Sequence, residues 1–166
     1  ETPTAASTSS AWAKISVDLN AFAGQRVRLA FYHQETAVSY YGDDQSTGWY
    51  IDDLEIWKGV PQYNNIEGFE SGFQDWYTDA GVWEIGVPVG GPTGGVAHGG
   101  TSVAATVLAG NYPRNTDSRL ISPGVNLPTI SGSESVELRF WEAYSYSSSD
   151  QGQVQVSVWD GSAWGA

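Results

Sequence analysis

The chain has 166 residues with 8 Trp, 9 Tyr, 5 Phe, 20 Gly and 7 Pro, no Cys and no Met, and its 19 acidic against 7 basic residues give a formal charge of −12. That length supplies one hydrophobic core, the glycines and prolines disfavour long helices, and the missing cysteines exclude disulfides and thiolate metal sites. The charge would repel a phosphate backbone and an anionic membrane surface, so nucleic acid is not expected as a partner, and no apolar run reaches membrane-spanning length.

Residues 1–11 are rich in Ser, Thr and Ala and read as a loop. Ile15, Val17 and Leu19 then share one face of a strand, and a turn containing Gly24 leads into Val27, Leu29 and Phe31 on a second, antiparallel strand. A polar and aromatic stretch, 35–48, carries the turn signal Gly42-Asp43-Asp44. The segment Trp49–Trp57 reads as a strand in which strict alternation puts Tyr50, Asp52, Leu54 and Ile56 on one face and Trp49, Ile51, Asp53, Glu55 and Trp57 on the other. An acid is thereby expected on each face. Lys58 to Asn65, with Pro61 and Tyr63, reads as a linker. Beyond it, short strands are expected around Phe69, Trp76-Tyr77, Val82–Ile85, Val103–Leu108 and Asp117–Ile121, with a Gly/Pro-rich loop over 86–100. Two longer strands, 135–144 and 151–159, alternate well through Val136, Leu138 and Phe140 and through Val154, Val156 and Val158. About ten short antiparallel strands with regular turns predict an all-β jelly-roll sandwich.

The two ends of the chain read into one another. Val154 to Ala166 followed by Glu1 to Leu19 makes strand, turn, polar loop and strand without a break, as the middle of a sandwich does, whereas the one boundary-like segment is internal. The expected organisation is therefore residues 1–57 as the closing half of a domain, 58–65 as an inter-repeat linker, and 66–166 as the opening half of the next, or of the same domain permuted. The absence of Met agrees with an excised or processed piece of a longer array.

Several segments resemble the MAM-like jelly-roll domains of bacterial secreted proteins, the choice-of-anchor J or cleaved-adhesin type, also appended to immune-inhibitor-type metallopeptidases. They are Gly68-Phe69-Glu70-Ser71-Gly72, Val82-Trp83-Glu84-Ile85-Gly86, Asn115 to Pro123, Leu138-Arg139-Phe140-Trp141, Val17 to Leu29, and Gly48-Trp49-Tyr50-Ile51-Asp52-Asp53-Leu54. Such a domain opens with the Phe-Glu-x-Gly strand and closes with Trp-Tyr-Ile-Asp-Asp, so here the closing half comes first. The resemblance implies a structural Ca²⁺ shared by Glu70 and Asp52, with Asp53 and Asp117 as further candidate ligands. The residues themselves leave a second account open for Asp52: a buried carboxylate needs compensation, from a hard cation or from backbone amides and Arg28, Arg119 or Arg139.

Motifs for catalysis are lacking: there is no His-Glu-x-x-His, no Gly-x-Ser-x-Gly and no phosphate-binding loop, and His33 and His98 are expected at a strand end and in a loop. Exposed aromatics invite a sugar-binding reading, for which Tyr40, Tyr41, Tyr112, Tyr144, Tyr146, Trp159 and Trp164 are the candidates near loops. The expected function is non-catalytic: a repeat or subunit of an extracellular bacterial filament, stalk or long adhesin, secreted or on the cell surface. Its expected partners are further copies of itself, through inter-repeat contacts at Pro61 and Tyr63, and cell-surface glycans. The alternative is a carbohydrate-binding or accessory module of a secreted hydrolase.

Overall fold

The structure, a computed structural model, describes residues 11–34, 46–58, 66–147 and 150–165. It is nearly all β. Ten strands run β1 (Ala13–Asp18), β2 (Arg26–Gln34), β3 (Gly48–Lys58), β4 (Tyr77–Asp79), β5 (Glu84–Gly86), β6 (Val103–Ala105), β7 (Asp117–Ile121), β8 (Val125–Asn126), β9 (Val136–Ser145) and β10 (Gln151–Val158), with one 3-10 turn at Asn20–Phe22. One antiparallel sheet has the order β1-β9-β3-β6-β5, the other β10-β2-β7-β4, with β8 pairing β2 beyond the end of β7. The jelly-roll sandwich expected from the alternation is what the chain forms.

The strands on either side of residues 58–65 are interleaved. β3 lies between β9 and β6 in the first sheet, β2 lies between β10 and β7 in the second, and β1 closes an edge on β9. Opening and closing segments also meet directly, because Leu54 and Glu67 exchange backbone hydrogen bonds of 3.0 and 2.7 Å. The opening segment is shorter than a full strand: after this bridge, Phe69 takes a positive φ of 58° and the chain turns.

Between the sheets lies the main core. Its aromatic centre is Phe31, which meets Phe140 edge-on at 5.1 Å and Trp49 at 5.6 Å between ring centroids, with Phe69 against Trp76 beside it. Leu29, Ile51, Leu120 and Leu138 fill the spaces between these rings. Fully burying each such side chain contributes about 1.5–3 kcal/mol.

Strict alternation fails in β3. Trp49 and Ile51 face the main core as its residues, but so do Leu54 and Ile56, while Tyr50 belongs to a second, smaller core with Val103 and Ala105 on the outer side of the sheet. The cause is a bulge between Asp52 and Glu55, where the pairing with β9 slips and Asp53 adopts φ 48°. A bulge adds a residue to one strand only, so the inward face changes parity across it. The expected grouping of Tyr50 and Asp52 with Leu54 and Ile56 is thereby corrected.

Candidate functional site

Three of the acids singled out in the sequence converge on one loop. Asp52, fully buried, sits opposite Trp141 of β9 on the outer side of the first sheet. Its Oδ1 accepts the Asp53 N–H at 2.8 Å and its Oδ2 accepts those of His98 and Gly99 at 2.9 and 3.1 Å. Glu70 clamps the same loop two residues on. Its Oε1 accepts the N–H groups of Thr101 and Ser102 at 2.9 and 2.8 Å, and its Oε2 the Thr101 hydroxyl at 2.9 Å. The Asp53 Oδ2 lies 2.6 Å from His98 Nδ1, and the imidazole stacks on Trp141 with centroids 4.0 Å apart and planes 12° apart. Glycine at 99 and 100 is what lets the loop backbone come this close, since a Cβ on Gly99 would stand 2.6 Å from an Asp53 carboxylate oxygen and one on Gly100 would strike the Glu70 carboxylate.

Burial pushes the Asp52 carboxyl up to about 6 even though three amide donors pull the other way. Glu70 lies at the surface, and the amides of Ser102 and Thr101 hold its carboxyl below the usual range. The compensation that the buried Asp52 requires is thus supplied by backbone N–H groups. Among the described residues no three acidic or histidine side chains are grouped to hold a metal ion. Asp117 is not brought to this loop: it starts β7 in the other sheet, beside Tyr32 and 4.0 Å from Arg119 Nη1. Pro61 and Tyr63, and likewise Tyr40 and Tyr41, lie outside the described residues.

A second polar group lies inside one end of the sandwich, around His33, which stands next to the end of β2 as expected. His33 is a fully buried residue, stacked on Tyr146 at 5.5 Å and edge-on to Tyr112 at 4.7 Å, and neither ring nitrogen has a hydrogen-bond partner among the described residues. Burial lowers its pKa to about 4. Tyr112 and Tyr146 are themselves buried and cannot serve as sugar platforms, while Tyr144 stacks on Tyr146. The Tyr112 hydroxyl donates to Asp150 and accepts the Ser147 N–H. Glu142 continues the inward face of β9, where the Trp49 indole N–H donates to its Oε2 at 2.8 Å, and burial pushes its carboxyl up to about 7.

The outer face of the second sheet forms a groove of about 710 Å³, within the roughly 300–1,000 Å³ range of ligand sites. Register explains its composition. One row across the sheet reads Gln155, Ala30, Ile121, Tyr77 and the next reads Gln153, Tyr32, Arg119, Asp79, with Arg28 opposite Ser157 on the other side. Small Ala30 and apolar Ile121 make the floor; guanidinium and aromatic groups make the walls. Arg28 lies 4.1 Å from the Trp164 ring centroid and donates from Nη1 to the Tyr77 hydroxyl at 3.1 Å. Arg119 lies over Tyr32 at 4.4 Å, donates from Nε to Gln155 Oε1 at 3.0 Å and from Nη1 to Asp79 Oδ2 at 3.1 Å. Of the described aromatics proposed for sugars, only Trp164 lines this groove; Arg28, Tyr77, Arg119 and Gln155 were not legible from spacing, because they come from four strands far apart in sequence. An Arg or Gln at an outward strand position opposite small residues is the signal that a known register would have exposed.

The fold and these sites define an all-β jelly-roll sandwich with one acid-clamped loop and one basic groove. No protein family model matches the chain, and neither a curated protein nor a solved structure matches it.

Proposed function

We propose that the chain is a non-catalytic unit of an extracellular bacterial filament, stalk or long adhesin, read out of phase with the domain it builds. The observation that carries this reading is the interleaving: β2 and β3, which precede residues 58–65, sit inside sheets whose other strands, apart from β1, follow them. Neither half has a sheet of its own. With the opening and closing segments touching at Leu54 and Glu67, a strand set taken from the same copy or from its neighbour in an array would fit the same places. A linker of about eight residues spans at most roughly 26–29 Å, so neighbouring domains in such an array sit close together.

The test is mechanical and constitutional. A rotated chain, residues 66–166 followed by 1–57, is expected to fold at least as stably as the present order, and chains of several tandem copies to form straight rods with a constant axial step by electron microscopy. Loose beads with random bend angles, or a rotated chain that fails to fold, would defeat the array. A structural Ca²⁺ at Glu70 with Asp52 or Asp53 belongs to the same reading, supported only by the convergence of these three carboxylates on the 98–102 loop. It would raise stability by about 2.7 kcal/mol at a hundredfold excess over its dissociation constant, and an unchanged melt in calcium and in chelator removes it.

A further inference from the structure

We propose that the groove on the second sheet binds an acidic saccharide, a chain of uronic acid residues, through Arg28. The argument starts from charge. In a chain of formal charge −12 with only 7 basic residues, two guanidinium groups face one groove. Arg119 is matched by Asp79, but Arg28 has no carboxylate within 4 Å among the described residues, and its buried Nε has no hydrogen-bond partner. A guanidinium offers donors in a planar fork that suits a carboxylate, and Arg28, with Nη1 on a neutral hydroxyl and no carboxylate partner, keeps an unneutralised charge at the groove for an external anion.

The rest of the lining selects a sugar among anions. Tyr77, 41% exposed, and Trp164 give flat apolar surface beside Arg28, and Ala30 and Ile121 give a shallow floor without charge. Gln155 adds an amide at the opposite wall, already ordered by its bond to Arg119 Nε. Such mixed aromatic and planar polar walls match rings that carry C–H faces and equatorial hydroxyls, and the volume admits more than a single small ion. Trp164 is fixed over Arg28 by a small hairpin: Trp159 pairs with Trp164, the Gly165 N–H donates to the Val158 carbonyl at 2.9 Å, and the Ser157 hydroxyl donates to the Gly165 carbonyl at 2.6 Å. The wall is therefore in place before any ligand arrives, which lowers the ordering cost of binding. This inference stands whether or not the chain belongs to an array.

The experiment is calorimetric titration of the full chain with a tetramer of galacturonic acid, and in parallel with a neutral maltotetraose and a short polyglutamate. The expected result is binding of the galacturonate tetramer alone, weakening with added salt and at least tenfold weaker in Arg28→Gln. Tyr77→Ala is expected to lose affinity as well, so the test does not hang on one variant, and thermal melts of both show that they remain folded. No binding of the uronate tetramer, or equal binding by Arg28→Gln and wild type, overturns the proposal. Equal binding of polyglutamate overturns the saccharide assignment and leaves an acidic peptide as the ligand class.

Discussion

Glu142 and His33 impose opposite pH dependences on the same buried end of the sandwich, and the substitution Glu142→Gln separates them. Burial raises the Glu142 carboxyl from 4.5 to about 7 and lowers the His33 imidazole from 6.5 to about 4. At Glu142 the folded state holds the proton more tightly, so this residue contributes stability that is complete below pH 4.5 and is lost as pH rises through 7. At His33 the unfolded state takes the proton first, so its contribution is present above pH 6.5 and is lost as pH falls towards 4. Between pH 7.5 and pH 5 each group accounts for about 2 kcal/mol, with opposite signs, and the pair nearly cancels in the wild type. In Glu142→Gln only the histidine remains, and urea denaturation should find about 2 kcal/mol lost relative to wild type on going from pH 7.5 to 5. In His33→Phe the carboxyl acts alone, and about 2 kcal/mol should be gained over the same interval. The other carboxylates are common to all three proteins, so the difference between profiles isolates the pair. Parallel profiles for Glu142→Gln and wild type would refute the claim that Glu142 is held protonated near neutral pH by burial.

Removing the Glu70 carboxylate by Glu70→Ala takes away three hydrogen bonds to the 98–102 loop; amide hydrogen exchange at Thr101 and Ser102 should accelerate strongly while exchange in β9 is unchanged, and protection retained at both amides would contradict the clamp. Gly152→Ala places a Cβ 2.8 Å from the Trp49 ring and against the Tyr146 hydroxyl, so overpacking should cost about 1–3 kcal/mol in chemical denaturation; a neutral result would mean that β10 lies farther from the core. Phe140→Ala removes the ring that meets Phe31 edge-on at the centre of the aromatic cluster and should cost about 3–5 kcal/mol, with a melting temperature lower by many degrees. A loss below 1 kcal/mol would show that the two sheets do not meet at this ring.

Wherever alternation runs unbroken, the fold was legible: Val27, Leu29 and Phe31 in β2 and Val136, Leu138 and Phe140 in β9 point inward as their period of two requires. The same period carries Glu142 inward, and what admits it there is a partner invisible in local sequence, the Trp49 indole N–H from a neighbouring strand. β3 defeated simple alternation because its bulge turns on Asp53, a residue that gives no glycine-like signal for a positive φ. The acids at 52, 53 and 70 were legible as a group, whereas the loop they hold, 98–102, was not, because its contribution comes from backbone N–H groups that every sequence possesses. The burial of His33 is hidden in the sequence for a related reason. It follows Phe31 by two positions, so the pattern points it inward, but a histidine with both nitrogens unpartnered is seldom an interior residue.

The bulge in β3 acts as a key for strand identity. In a row of near-identical copies, the gravest error during folding is a strand that pairs with the right neighbour one or two places out of step, or with its double from another copy. A uniformly alternating β3 could slide by two residues along β9 and still bury apolar side chains. The actual strand is held by its buried acid: a slide in either direction carries Asp52 away from His98 and Gly99 and strips the 98–102 loop of its acceptors. The two long strands of the first sheet, β3 and β9, are thereby held to a single reading frame of hydrogen bonds.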